Sequence, residues 1–137
     1  MTMATQSEVK PVQDCDGNTR IIAIVDDDES VRFALKGMMK SVGLPAQTFA
    51  SAEEFLNSGI LHQTACLIAD IRMPGMSGLE LQKKLYSEHY RIPTIFITAH
   101  GDAKMRLQAL RSGAVEFLAK PFDDDVLLEN IRAALES

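Results

Sequence analysis

Three aspartates, a threonine and a lysine each stand at the end of a short apolar run. Asp26 and Asp27 follow Ile21–Val25, Asp70 follows Ala65–Ala69, Thr98 follows Thr94–Ile97, and Lys120 comes just after Val115–Leu118. Singly, such residues are turn formers, helix caps or solvated charges. Together they suit one kind of chemistry. Carboxylates with oxygen-only neighbours and no His or Cys favour a hard cation, Mg²⁺ before Ca²⁺. Mg²⁺ takes one or two carboxylates and fills its shell with waters and phosphate oxygens, so the set anticipates a phosphoryl group. Aspartate can be the nucleophile that becomes an aspartyl phosphate. Lys120 can pair with a phosphoryl oxygen and Thr98 can hydrogen-bond one. Phosphoryl transfer needs mainly positioning and charge neutralisation, which this set supplies. The cation also resolves a local difficulty, because Asp26, Asp27, Asp28 and Glu29 form a row of like charges at the end of a buried strand.

These residues meet only if the runs are strands of one sheet. The runs Ile21–Val25, Ala46–Phe49, Ala65–Ala69, Thr94–Ile97 and Val115–Leu118 alternate with helical patterns. The first, third and fourth are β-branched or otherwise apolar throughout, as strands buried on both faces are. Val31, Leu35, Met38 and Val42 mark one face of a first helix. Ser51 to Glu54 reads as a capping box for a short second helix, and Ser77 to Glu80 as one for a third helix running to about Tyr90. Asp102 caps a fourth helix that ends at Gly113. Asp123 caps a fifth, with Val126, Leu127, Ile131 and Leu135 as its buried stripe. On the fourth helix, Ala103, Leu107 and Leu110 are expected to face the sheet, with Lys104, Gln108, Arg111 and Ser112 on a polar face. Met105 and Ala109 extend the apolar arc. Five strands alternating with five helices predict an α/β fold, a doubly wound (βα)5 parallel sheet with helices on both faces. In such sheets the functional crevice lies beyond the C-terminal ends of the strands, where the five residues fall.

Composition bounds the rest. The chain has 137 residues, 46% hydrophobic and 24% charged, enough for one domain with a sizeable core. A net charge of -5 argues against non-specific nucleic-acid binding. Cys15 and Cys66 lack metal-ligand spacing. Cys66 reads as a buried hydrophobe, and the expected compartment is a reducing cytoplasm. No stretch is long enough to span a bilayer. Residues 1–19 are polar and aperiodic and are expected to be a flexible N-terminal tail, with the folded domain over residues 20–137.

The stretches "IVDDDESVR", "LIADIRMPGMSGLEL", "IFITAHGD" and "FLAKPF" resemble the CheY-like receiver domain of two-component response regulators, in particular the FixJ-type subgroup with its "TGHGD" and "KPF" runs. The resemblance covers about residues 20 to 136. It implies the flavodoxin-like strand order 2-1-3-4-5, with Asp70 as phosphoacceptor. It implies metal binding by Asp26 through water, by Asp27 and Asp70, and by the backbone carbonyl of Arg72. Thr98 and Lys120 would hold phosphoryl oxygens, and Phe117 would be the switch aromatic that turns inward when Thr98 moves. Lys120-Pro121 would be a cis peptide. The implied cofactor is Mg²⁺, and the implied partner a sensor histidine kinase or phosphotransfer protein. The output surface would be the fourth helix, fifth strand and fifth helix, through which a phosphorylation-promoted homodimer is the first choice of contact.

The remaining polar residues read more plainly. Asp28 offsets the macrodipole of the first helix. Pro74, Gly75 and Gly78 shape the turn after Asp70. Arg72 and His100 are either solvated or rim the crevice, and His62 and His89 are surface residues. A haloacid-dehalogenase-type phosphatase would need a second Asp two residues after Asp70, where Arg72 stands. A flavodoxin-type carrier would need a phosphate loop where the aspartates stand. A receiver piece of a FixJ-type DNA-binding regulator is the main alternative to a stand-alone receiver.

Overall fold

The computed structural model describes residues 20–99 and 101–136. The tail expected over residues 1–19 and the rim residue His100 lie outside the described residues. The apolar runs form β1 (Ile21–Val25), β2 (Ala46–Phe49), β3 (Thr64–Asp70), β4 (Thr94–Thr98) and β5 (Glu116–Ala119). They pair in parallel in the order β2-β1-β3-β4-β5. The three runs that are β-branched or otherwise apolar throughout are the three central strands. Between them lie α1 (Glu29–Ser41), α2 (Ala52–Leu56), α3 (Gly78–Ser87), α4 (Ala103–Arg111) and α5 (Asp124–Glu136), with a 3-10 turn at Leu61–Gln63.

Period-two alternation sends each central strand's side chains to both faces. Ile22, Ile24, Cys66, Ile68, Ile95 and Ile97 share one core cluster with Leu35 and Met39 of α1 and Leu127, Ile131 and Ala134 of α5. Ala23, Val25, Leu67, Ala69 and Phe96 share the other with Phe55 of α2, Leu81 and Leu85 of α3 and Ala109 of α4. Each large apolar side chain so buried contributes about 1.5–3 kcal/mol.

Local chemistry starts the helices. Asp28, Ser51, Ser77 and Asp102 each accept a backbone N–H of the first turn, and Asp123 accepts from Asp125 and Val126. The capping box at Ser77–Glu80 is complete. The one expected at Ser51 is half formed, because Glu54 takes the amide of Ala50 instead of Ser51. The third helix stops at Ser87, short of Tyr90. His89 adopts φ 69°, and the N–H groups of His89 and Tyr90 turn back to Tyr86 O and Leu85 O. Gly43 and Gly113 close α1 and α4 with the same bonding pattern. At α3 no glycine announces the end, so the apolar pattern runs on.

Helix rotations differ from the expected stripes in three places. In α1, Met39 is fully buried while Val42, the C-cap, is 37% exposed. In α5, Val126 is 39% exposed and Ala134 takes its place in the core. In α4 the expected face is reversed. Ala109 is buried and Met105 packs on the core, whereas Ala103 and Leu107 are exposed and Leu110 is only partly covered. Leu107 lies about 200° around the helix from Met105. A tertiary contact accompanies this rotation: Arg106 donates to the Phe117 carbonyl at 2.8 Å and pairs with Glu116 at 3.1 Å.

Gly78 sits where α3 begins against the end of β3. A Cβ there would meet the Asp70 carbonyl oxygen and come within 3.1 Å of Ile71 Cα, both backbone atoms. Gly37, inside α1, has open space around it. Gly78→Ala should therefore lower stability by about 1–3 kcal/mol, whereas Gly37→Ala should raise it by roughly 0.5–1 kcal/mol. Urea unfolding of both variants checks this, and equal shifts would show that the close approach at Gly78 carries no cost.

Candidate functional site

The sheet brings together four of the five residues singled out by type and spacing, and places the fifth beside them. Asp26 follows β1, Asp70 ends β3, Thr98 ends β4 and Lys120 follows β5, all on the C-terminal edge. The Lys120 ammonium donates to Asp26 Oδ2 at 2.9 Å and to Asp70 Oδ2 at 3.0 Å. The other Asp26 oxygen accepts the Asp28 amide, and the other Asp70 oxygen accepts the Arg72 amide. Asp27 is exposed beside this pair. Asp26, Asp27 and Asp70 each present a carboxylate oxygen, all within 4.8 Å of one another. Thr98 is fully buried, and its carbonyl accepts the Lys120 amide at 2.9 Å.

Burial sets the electrostatics. It pushes the Asp26 carboxyl above its ordinary value, against the pull of hydrogen bonds from Lys120 and the Asp28 amide. Burial also works against the charge on Lys120, but its two carboxylate partners outweigh this and hold the ammonium above its ordinary value. Lys120 is thus a firm cation shared by two buried carboxyl groups. Asp28 is held below the usual carboxylate range by the hydroxyl and amide of Ser30, in keeping with its place as the N-cap of α1. The Cys66 thiol is pushed up to about 12 by burial, so it stays protonated and serves as a small core hydrophobe.

The surrounding loops fix these groups. In the β3–α3 connection, the Arg72 side chain and Pro74 are exposed, and Gly78 N–H closes onto Ile71 O. Gly75 takes φ 79° over the Glu53 carboxylate, which accepts the Met76 amide at 3.1 Å. Lys120-Pro121 is cis. Phe117 is 4% exposed and lies inward in the core cluster. His62 and His89 are exposed, as expected. Three supporting residues had no readable signal in the sequence: Glu53, Arg106, and Arg32, which donates to the Asp26 carbonyl at 2.7 Å. Each acts on backbone far away in sequence or across an element boundary, and no spacing rule marks such a partner.

Residues 22–132 match the response regulator receiver domain model. The chain belongs to that family. Receiver domains are signalling domains of two-component systems and not conventional enzymes; phosphorylation and Mg²⁺ are typical of them. The receiver is 47% identical over 116 residues to Nodulation protein W of Bradyrhizobium diazoefficiens, covering 85% of this chain and 51% of that protein. It is 40% identical over 114 residues to the transcriptional regulatory protein FixJ of Azorhizobium caulinodans, covering 83% of this chain and 54% of that one. It therefore spans about half the length of the curated relatives it matches. The crystal structure of FixJ-N superposes with a TM-score of 0.76 at 41% identity, over 85% of this chain and 94% of that chain. The structure of response regulator StyR gives 0.79 at 44%, over 86% and 60%. Among the described residues, no helix is long and apolar enough to cross a membrane.

The shared ammonium makes a stability prediction for the receiver. Lys120 is only 16% exposed, and Asp26 and Asp70 are nearly inaccessible. Lys120→Met leaves two buried carboxylates without their cation and should cost roughly 3 kcal/mol. Lys104→Met, on the exposed face of α4, should stay within about 0.5 kcal/mol. Denaturant melts in chelator compare the two, and a Lys120→Met protein as stable as the parent would refute the electrostatic account.

Proposed function

We propose that this receiver, over residues 20–137, is a phosphorylation-activated signalling switch that accepts a phosphoryl group on Asp70. The donor is a sensor histidine kinase or a phosphotransfer protein. The observation that carries this reading is the Lys120 ammonium bridging Asp26 and Asp70 with Asp27 open beside them.

The donor set fits Mg²⁺, since it offers three carboxylate oxygens close together, with no His or Cys in the group and one member facing solvent. Asp26, Asp27, Asp70 and the Arg72 backbone carbonyl would hold the ion. When bound it supplies charge neutralisation for the carboxylates and phosphoryl oxygens. Asp70 Oδ attacks phosphorus as the phosphohistidine P–N bond breaks. The imidazole leaves with the bonding pair, and an acyl phosphate forms. Lys120, already hydrogen-bonded to Asp70, exchanges one carboxylate contact for a phosphoryl oxygen. Thr98 supplies a hydroxyl to another oxygen, and Phe117 follows Thr98. A protein donor is supported by the apolar surface beside the crevice. Phe33 of α1 is 83% exposed, and a cleft lined by Val31, Ala34, Met38, Pro121 and Phe122 opens next to Lys120.

The output surface is α4, β5 and α5, and the first choice of contact is a homodimer. Leu107 and Val115 are 50% and 37% exposed. Lys104 and Arg111 of α4 lie opposite in charge to Asp124, Asp125 and Glu129 of α5, and all of them are exposed. A two-fold contact could match them isologously. The alternative reading, a receiver that governs a DNA-binding region of a FixJ-type regulator, is supported by relatives of about twice the length that are called transcriptional regulatory proteins. The receiver residues themselves are not proposed to touch nucleic acid.

With acetyl phosphate and Mg²⁺, intact mass should rise by one phosphoryl group. The gain should vanish with EDTA and in Asp70→Asn, and Asp27→Ala should need much more Mg²⁺. Full labelling of Asp70→Asn would remove Asp70 from its role. Sedimentation with beryllofluoride and Mg²⁺ should show a dimer that Leu107→Glu abolishes, Leu107 being the exposed residue that Met105 is not. A monomer at high concentration would send the search to another partner.

A further inference from the structure

Position 101, just before α4, touches both residues assigned to the switch. A Cβ built on Gly101 would lie 2.5 Å from Phe117 Cζ, 2.7 Å from Phe117 Cε1 and 2.8 Å from Thr98 Cγ2. Side-chain carbons do not approach this closely, so something must move. The residue is therefore required for space.

What yields is decided by how the neighbours are held. Thr98 is the last residue of a central strand, fully buried, with its carbonyl bonded to the Lys120 amide. Phe117 is held at its backbone by side chains on both polar groups. Its carbonyl accepts from Arg106, and its amide donates to Glu116 Oε1 at 2.9 Å, the same oxygen that pairs with Arg106 at 3.1 Å. The backbone is pinned, so what can yield is the ring, by a change of χ1 rotamer that takes it out of its buried place. The contacts nearest a new Cβ are with that tip.

We infer that Gly101 is a positioning residue for the Thr98–Phe117 pair: its missing side chain is the space that lets the Phe117 ring lie inward, and any side chain there drives the ring out. This deepens the reading of the chain as a phosphorylation switch and rests on it for its consequence. The phosphoryl group is proposed to act on this ring through Thr98, and a ligand shifts a population only by binding one state better. A side chain at position 101 would bias the same ring without touching Asp70.

The test is made on the unphosphorylated chain of residues 1–137, so its outcome is independent of whether Asp70 is labelled. The six phenylalanines are replaced biosynthetically by 4-fluorophenylalanine, and the Phe117 resonance is assigned by its loss in Phe117→Leu. In the parent, Phe117 should show a small H₂O/D₂O solvent shift. In Gly101→Ala it should move to the large shift of an exposed ring. The unfolding midpoint supplies a second measurement. Gly101→Ala should lower it in the Phe117 background and lose most of that effect in the Phe117→Ala background, because the two closest contacts are with the ring; the remainder reports the Thr98 methyl. A ring that stays shielded in Gly101→Ala, or a loss of midpoint equal in both backgrounds, would overturn the proposal. If Gly101→Ala alone folds too poorly for NMR, rescue by Phe117→Ala still supports it and absence of rescue still overturns it. Failure of acetyl phosphate to label the parent would instead sink the phosphorylation reading and leave the ring result standing.

Discussion

One ammonium holds the C-terminal edge of this sheet together. Lys120 reaches back 94 residues to Asp26 and 50 to Asp70, joining the end of β5 to the ends of β1 and β3. Without it, two carboxylates taken out of water would face each other across adjacent strands. Such an arrangement raises the energy of the charged state by both desolvation and repulsion. The contact works against both, although burial still holds the Asp26 carboxyl above its ordinary value, and it leaves Asp27 to solvent. The cluster is therefore bridged on its buried side and open on its exposed side, which is the side a cation could reach.

That balance depends on backbone placed to close tolerance. Each buried carboxylate spends its second oxygen on an amide two residues on, at Asp28 and Arg72. The chain can turn this tightly after β3 because Gly78 lets α3 start against the Asp70 carbonyl. Glu53, from α2, holds the outer part of the same turn through the Met76 amide. The carbonyl after Asp26 is held from α1 by Arg32. The crevice is thus built from strand ends, whose positions the core fixes, and trimmed by side chains from helices on either face.

Much of this was legible in the sequence, for identifiable reasons. The central strands announced themselves because burial on both faces demands unbroken apolar runs, and the strand order then put Asp26, Asp70, Thr98 and Lys120 on one edge. The short caps were legible because they are local: Ser77 and Glu80 answer each other within one turn. Rotation of α4 was not legible. Its apolar residues cover so much of the circumference that Leu107 and Met105, on opposite sides, compete equally for the core. The structure turns Met105 inward and joins Arg106 to Phe117 O, a contact no periodicity encodes. The end of α3 was missed because His89 takes the conformation usually marked by glycine. Gly101 stood in a recognisable motif, but its reason for being glycine is a ring that is distant in sequence.

In the segment from Thr98 to Arg106, a change at the proposed phosphoryl site would not have far to travel. Thr98 closes β4 inside the crevice, Gly101 rests on Phe117, Asp102 caps α4, and Arg106 grips the Phe117 carbonyl. The proposed phosphoryl site and the proposed output face are two ends of one short stretch of chain. With Arg106 and Glu116 both fixed to Phe117, α4 and β5 are tied through the residue whose ring is proposed to switch. Leu107, the next residue after Arg106, faces outward for the same geometric reason that Met105 faces inward. Any rotation or shift of α4 that follows Thr98 must therefore displace Leu107, the large apolar residue that this helix exposes. The phosphoryl group has only to favour one position of a packed ring over another, by a few kcal/mol of differential interaction, to change what that surface presents.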